Sequence, residues 1–453
     1  MLDLACRDTI AALLTGNGDG VINAVRVSGP GATGVRDAVF LRARPGRVRP
    51  ATLHLGRVQT AGGALETLCA TFPGPRSYTG ETCVELHGPG GRVNGQRLLQ
   101  AVLGRGARQA QPGEFTLRAF LHGRLTLDQA EAVGLLLQAQ SAEAAVAAER
   151  LRTGEVALAL EPVREAVLGL LAETEAYLDF PEDGLPRASL DHQREAATRA
   201  AAALRALLRG HERTRRMLEG ARVVLYGAPN AGKSALFNAL CGRDRAIVDD
   251  APGTTRDVVE ASVTWEGMPV TLVDTAGTRV AAGRVEQEGV RRSLEEAARA
   301  DLLLYCVGAD DGGRDMRDPP PGPPVIVVET KGDLASSHGA APGAAVRLGT
   351  AALTVSARVA EGLPALRRQI VERLSGRGHA EGVVAATARQ AERVACAAEE
   401  LQGAVRARDA GEPEEVVAER FRRAASAIGE VSGRVMPTEE VLGAIFGRFC
   451  IGK

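Results

Sequence analysis

Lysine is almost missing from this chain. It stands only at Lys233, Lys331 and Lys453, and every other member of the 55 lysines and arginines is arginine. Arginine is a wide planar fork and lysine a compact charge on a thin stem, so each surviving lysine marks a place that needs the narrower group. Charge excess is missing too: Lys+Arg 55 against Asp+Glu 56 gives a net charge of −1. No global basic field advertises nucleic acid, and any RNA contact needs a local patch. The seven cysteines (Cys6, Cys69, Cys83, Cys241, Cys306, Cys396, Cys450) include no C-x-x-C pair. That argues against a zinc ribbon or a disulfide scaffold and for a reducing cytosol. No uncharged apolar run of about 18 residues occurs, and the opening Met1–Asp8 does not read as a signal peptide, so a cytoplasmic protein with no membrane contact is expected.

What is present suits a soluble globular protein: 45% hydrophobic and 25% charged residues over 453 positions. At roughly 100–200 residues per domain, two to four domains are expected. No internal repeat is visible. Residues 1–117 alternate short β-rich runs (Val21–Val27, Thr82–His87) with Gly/Pro loops. From 118 to 219 long Ala/Leu/Glu/Arg stretches take over. Thr126-Leu-Asp-Gln129 has capping-box spacing and opens a helical run predicted to reach about Arg152. A second run is predicted over about Glu161–Tyr177 and a third from about Ser189 to Glu219. At Ala221 the pattern switches to β/α alternation, giving a block at 220–376. Its Asp318–Pro324 and Gly339–Ala345 read as surface loops. Residues 377–453 return to helix over about Glu381–Ile445. A tail of about 70 residues is marginal by itself, so it is expected to pack with the helices of 118–219, leaving the middle block as an insertion.

That block carries the chemistry. Gly227-Ala-Pro-Asn-Ala-Gly232-Lys233-Ser234 fits G-x-x-x-x-G-K-[ST], between a predicted strand (Arg222–Tyr226) and a predicted helix (Ser234–Cys241), the context that makes the match a P-loop. The backbone of Asn230, Ala231, Gly232, Lys233, Ser234 and Ala235 is expected to wrap the phosphates at a helix N-terminus. Lys233 reaches the β/γ oxygens, and the Ser234 hydroxyl ligates Mg²⁺. Gly253-Thr254-Thr255-Arg-Asp257 is placed to supply Thr255 as the second Mg²⁺ ligand. Asp274-Thr275-Ala276-Gly277 closes the predicted strand Val270–Val273. There Asp274 holds the Mg²⁺ water and the Gly277 N–H senses the γ-phosphate. Thr330-Lys331-Gly-Asp333 follows the strand Val325–Val328, and Asp333 can accept both guanine N–H groups, which adenine does not offer. Ser356-Ala357-Arg358 puts a backbone N–H near the guanine carbonyl oxygen. Five motifs in order, with two of the three lysines on them, read as a GTP-binding domain.

Two positions depart from the common pattern. Thr330 stands where the guanine motif usually has Asn. Thr278 stands where Ras-like proteins carry a water-orienting Gln. Glu286 is a candidate for that role, and a solvated acidic face is the alternative. A monovalent cation held by Asn230 and switch-loop carbonyls can replace an arginine finger, placing charge where the leaving oxygens develop theirs.

Outside the GTPase set stand Asp8-Thr-Ile-Ala-Ala12, Arg26-Val-Ser-Gly29, Phe72-Pro-Gly-Pro75, Ser77-Tyr-Thr-Gly-Glu81, Val84-Glu-Leu-His-Gly88, Pro112-Gly-Glu-Phe-Thr-Leu-Arg-Ala-Phe-Leu121, Leu127-Asp-Gln-Ala-Glu-Ala-Val133 and the ending Phe449-Cys-Ile-Gly-Lys453. With these the chain resembles, nearly end to end, the bacterial and organellar tRNA-modification GTPases of the MnmE (TrmE) family. The resemblance implies a multidomain α/β and α protein. Its N-terminal α/β domain (1–117) dimerises and binds folate, a helical domain comes in two parts (118–219 and 377–453), and a Ras-like P-loop GTPase domain (220–376) is inserted between them. It also implies a homodimer that forms a heterotetramer with the FAD-containing GidA (MnmG). With 5,10-methylene- or 5-formyl-tetrahydrofolate, the pair would add a carboxymethylaminomethyl or aminomethyl group to C5 of the wobble uridine of certain tRNAs.

By the same resemblance, Asn230, Asp249, Ala251 and Thr254 would hold potassium, across which the GTPase domains pair. Glu286 would orient the attacking water, and Arg279 lies in the second switch. Arg26, Glu85, Arg124 and Lys453 would bind folate, Arg124 standing where the family usually has Lys. The loop Thr15–Gly20 lacks the family's usual Pro-Pro and Arg. Cys450 either belongs to the family's functional ending or is a buried structural thiol. Two other classes share part of the pattern. A ribosome-assembly GTPase would carry an RNA-binding module such as a KH domain and no enclosing helical domain. A folate-binding scaffold with a vestigial GTPase would have no need of Lys233, Ser234, Thr255 and Asp274.

Overall fold

The computed structural model describes residues 7–16, 20–44, 46–179, 187–242, 259–275, 291, 293–309, 319–337, 352–375 and 386–452. The chain divides into two compact units: Met1–Gly134 with Leu151–Arg205 and Glu392–Lys453, and Leu135–Arg150 with Ala206–Ala391. Among the described residues no helix is long and apolar enough to cross a membrane, and no disulfide links the described cysteines.

The first unit is built on a seven-stranded sheet: β1 (Ile10–Leu13), β2 (Ile22–Ser28), β3 (Phe40–Arg42), β4 (His54–Thr60), β5 (Gly63–Phe72), β6 (Cys83–Pro89) and β7 (Arg108–Gln109), in the order β3-β4-β5-β6-β2-β1-β7. The pairings are antiparallel except β1 with β7. Three helices accompany this sheet: α1 (Ala32–Val39) between β2 and β3, α2 (Arg92–Leu103) between β6 and β7, and α3 (Glu114–Leu121) after β7. Val25, Val27, Val84 and Leu86 pack with Leu98 and Val102 of α2. Ile10, Ala12 and Ala110 pack with Phe115 of α3 and with Tyr78. β1 contributes to both sets, Ala11 to the first and Ile10 and Ala12 to the second, so this strand is covered on both faces.

All three helical runs predicted between 126 and 219 differ from expectation. The run predicted to Arg152 is two helices, α4 (Leu127–Gln138) and α5 (Ala142–Arg152), broken where the Ser141 hydroxyl accepts the Ala144 N–H at 3.1 Å. The predicted capping box is half made. Gln129 Oε1 accepts the Thr126 N–H at 3.0 Å, while Thr126 Oγ1 is buried without a partner. Helix α6 (Glu155–Asp179) starts earlier than predicted and runs through Pro162. The third run is also split, into α7 (Arg187–Leu208) and α8 (His211–Glu219), with Gly210 at φ 84° between them. An L-residue pays a steric penalty in that left-handed region and glycine does not.

The second unit holds a six-stranded sheet. Its strands are β8 (Ala221–Tyr226), β9 (Val259–Trp265), β10 (Met268–Asp274), β11 (Leu302–Gly308), β12 (Val325–Thr330) and β13 (Ala352–Thr354), in the order β13-β12-β11-β8-β10-β9. All pairs are parallel except β9 with β10. Helices α9 (Lys233–Cys241) and α10 (Leu363–Ser375) cover one face, where Phe237, Leu240, Leu366 and Ile370 meet Leu225, Leu272, Leu304 and Val328. In such a sheet the ligand crevice lies at the carboxyl ends of the strands.

The chain ends in α11 (Ala388–Asp409), α12 (Glu414–Ser432) and α13 (Glu439–Phe446), which return to the first unit. There α12 packs along α6, and Leu442 and Phe446 of α13 join Leu117, Phe120, Leu127 and Ala130 in one apolar cluster.

Candidate functional site

The nucleotide motifs meet at the carboxyl edge of the second sheet. Gly227, directly after β8, takes φ 146°, and a Cβ there would lie 2.3 Å from the Cys306 carbonyl oxygen of β11. No side chain fits, so the loop passes over the sheet only as glycine. Asn230 (φ 63°) and Gly232 (φ 81°) complete the turn that starts α9 at Lys233. Lys233 is buried, and its Nζ donates to the carbonyls of Gly227 (2.8 Å) and Ala228 (2.6 Å). The ammonium is folded onto the loop it serves. Ser234 and Ala235 are exposed in the first turn of α9, which leaves the Ser234 hydroxyl open to a ligand.

The remaining described motifs converge on that loop. Asp274 is buried at the end of β10, in register with Leu225 of β8. The neighbouring Thr275 hydroxyl donates to the Leu225 carbonyl at 2.8 Å. Thr330 Oγ1 sits between the carbonyls of Ala231 (2.5 Å) and Val307 (3.2 Å). The threonine that replaces the usual Asn thus ties the end of β12 to the P-loop. Lys331 follows at φ 61°. Ser356 Oγ donates to Asp333 Oδ1 at 2.7 Å, fixing the carboxylate that would read guanine. Ala357 and Arg358 continue the turn after Ser356, with Arg358 exposed. Asp249, Ala251, Thr254, Thr255, Ala276, Gly277, Thr278, Arg279, Glu286 and Lys453 lie outside the described residues.

In the first unit, Arg26 and Glu85 face each other across β2 and β6. Arg26 Nε and Nη2 donate to Glu85 Oε1 at 3.0 and 2.9 Å. The same guanidinium lies 4.8 Å from the centre of the Tyr78 ring and 5.6 Å from that of Phe115. Arg124 Nε donates to the Ser77 carbonyl at 3.1 Å, so both arginines lean on the Ser77–Glu81 loop. The bond to His87, with the charge of Arg26 assisting, outweighs burial and holds the Glu85 carboxyl at about 2. Its folded value is lower than its unfolded one. The stabilisation is therefore present above about pH 4.5 and is lost as pH falls toward 2. Carboxyl ¹³C titration is expected to place the Glu85 midpoint below 3 in the wild type and to move it upward in Arg26→Gln. An unmoved midpoint would assign the whole shift to His87.

A buried ion cluster beneath this loop was not legible as a site. Arg118 is fully buried, donating to the Asp8 carbonyl (2.9 Å), Asp8 Oδ1 (2.5 Å), Glu81 (3.2 Å) and Glu114 (3.0 Å). Arg108 bridges Asp8 and Glu114, at 2.6 Å each. Burial alone would raise both carboxyls; the hydrogen bonds from Arg108 and Arg118 overcome it and hold them low. Glu81 also accepts the Ser28 hydroxyl at 2.8 Å, which ties β2 to the Ser77–Glu81 loop. The available signal was an i,i+4 Glu–Arg pair inside the otherwise apolar Glu114-Phe-Thr-Leu-Arg-Ala-Phe-Leu121. Cys450 is exposed, which removes the buried-thiol alternative.

Residues 9–124 match the family model described as GTP-binding protein TrmE N-terminus, and residues 127–450 match the MnmE helical domain. The chain belongs to the MnmE family of tRNA modification GTPases. Its relatives of that name include the protein of Symbiobacterium thermophilum, 40% identical over 459 residues that cover 98% of this chain and 99% of that one. The Synechococcus relative is 40% identical over 466 residues, covering both chains completely. The Azoarcus relative is 39% identical over 456 residues and 98% of each chain. As an MnmE-family member with an intact P-loop, this chain is a GTP hydrolase.

Proposed function

We propose that this protein hydrolyses GTP in a potassium-dependent way and couples hydrolysis to modification of the wobble uridine of certain tRNAs in the cytoplasm. It acts as a homodimer that assembles with the flavoprotein GidA, and together they add a carboxymethylaminomethyl or aminomethyl group at C5. The domain arrangement that goes with this reading is a GTPase domain at 220–376, inserted in a helical domain at 118–219 and 377–453, behind an N-terminal domain at 1–117. The observation that carries it is the ordered nucleotide edge: Lys233 on the P-loop, Thr330 tied to Ala231, and Asp333 held by Ser356.

In this reading Lys233 exchanges the Gly227 and Ala228 carbonyls for phosphate oxygens, and Asp333 accepts the guanine N–H groups. Ser234 and Thr255 hold Mg²⁺, and the buried Asp274 holds its water. Glu286 orients the attacking water. Asn230, Asp249, Ala251 and Thr254 would hold potassium, which would supply positive charge where the leaving oxygens develop theirs. The folate supplies the one-carbon unit, and Arg26, Glu85, Arg124 and Lys453 hold it. GTP turnover is expected to be slow in sodium and much faster in potassium at matched ionic strength. Equal rates in the two salts would overturn the potassium assignment. Nucleoside mass spectrometry of tRNA from a deletion strain tests the whole reading, with unmodified wobble uridine as the expected result.

A further inference from the structure

The chain has no overall positive charge, yet one edge of its N-terminal sheet is strongly basic. Residues 38–65 contain no Asp or Glu, while Arg42, Arg44, Arg47, Arg49 and Arg57 all fall within them. The region is built on β3, the edge strand, and its neighbour β4. Arg36, Arg42 and Arg47 line an open basin of about 540 Å³, with Asp37 as its one carboxylate. Asp37 is occupied by Arg36 at 2.8 Å. Among the described residues none of the other five arginines pairs with a carboxylate. Arg42 spends Nη1 on the Arg47 carbonyl at 2.8 Å, and its Nε is buried without a partner. Arg44, Arg47, Arg49 and Arg57 are exposed. Charges that merely discourage edge-to-edge pairing of sheets could be of either sign; here every charged residue within 38–65 is positive, and the exposed Asp37 at their margin is held by Arg36. Leu41, Leu53 and Leu55 are exposed between them, and no aromatic side chain is. The surface suits a phosphate backbone better than stacked bases.

We propose that the β3–β4 edge of the N-terminal domain binds the phosphate backbone of tRNA through Arg42, Arg44, Arg47 and Arg49. The inference rests on the tRNA reading above and adds where the polyanion docks. Four strand spacings separate β3 from Arg26 on β2, roughly 19 Å. The anchor is therefore independent of the Arg26–Glu85 pair, and can be removed without touching it.

The test is a titration of fluorescein-labelled tRNA transcript with the full-length protein at several KCl concentrations. Wild type is compared with the triple variant Arg44→Gln/Arg47→Gln/Arg49→Gln, whose altered side chains are all exposed. The variant is expected to bind at least tenfold more weakly at low salt. Its plot of log K against log[salt] is expected to flatten by about 2, since each lost phosphate contact removes roughly 0.7–0.9. GTP turnover without tRNA stays at the wild-type rate. Equal affinity and slope in the two proteins overturn the surface while leaving the tRNA reading intact. A change of oligomeric state in sedimentation with unchanged tRNA affinity assigns the edge to a second copy of the chain and overturns it as well. Wild-type protein that binds no tRNA overturns both readings.

Discussion

Removing Phe449–Lys453 is expected to abolish wobble-uridine modification while leaving guanine-nucleotide affinity at the wild-type value. The segment is docked. The Phe449 ring lies 5.7 Å from that of Phe446 and against Gly134, where a Cβ would come within 3.0 Å of it. Ile451 bridges Pro112. Gly452 sits at φ 105° so close to β1 that a Cβ would lie 2.4 Å from the Leu13 carbonyl oxygen. Leu13 pairs with Val25, the residue before Arg26. Gly452 is therefore held one strand from the Arg26–Glu85 pair, and the next residue in sequence is a lysine in a chain that has kept only two others. Calorimetry should find tetrahydrofolate bound at least tenfold more weakly by the truncated protein. Gly452→Ala, which forces a Cβ against Leu13, should weaken it in the same direction with the pentapeptide still present. Indistinguishable folate affinities in all three proteins would sink the docked-terminus reading.

Asp333→Asn is expected to lower GTP affinity by about 10²–10³-fold, equivalent to roughly 3–4 kcal/mol, and to raise affinity for xanthosine triphosphate. The carboxylate offers two acceptors to the two guanine N–H groups. An amide turns one of them into a donor that faces the exocyclic amino N–H of guanine, and such an unpaired polar contact costs more than a missing one. Ser356 sharpens the effect, because its hydroxyl on Oδ1 at 2.7 Å fixes the orientation of the group. Xanthine presents an acceptor where guanine has its amino group, so the same substitution repairs the match. Fluorescent-nucleotide displacement by GTP and xanthosine triphosphate reads both arms. Unchanged preference would remove Asp333 from the base-reading role.

The nucleotide edge was legible because its requirements are local. Gly227 is needed where the backbone crosses Cys306, Lys233 where a thin cation folds onto a loop, and Asp333 three residues after a strand end. Each is written within a few residues, and their order along the chain follows the order of the strands. The buried ion cluster was not legible for the opposite reason. Asp8, Glu81, Glu114 and Arg118 lie up to 110 residues apart, and each reads alone as an ordinary surface charge. Helix breaks failed in a similar way. Periodicity runs through 139–141 and 209–210 without interruption, and only the cap on Ala144 and the left-handed Gly210 stop it.

By itself the sequence determined the P-loop, the alternation of elements in the GTPase block and the resemblance over the whole chain, all of which depend on neighbours in sequence. Tertiary structure decided the rest. It assigned residues 135–150 to the same compact unit as the GTPase strands, brought the terminal Gly452 onto β1, and buried Arg118 among three carboxylates. Those outcomes follow from which apolar faces cover one another. That is a property of the assembled layers, and no window of sequence contains it.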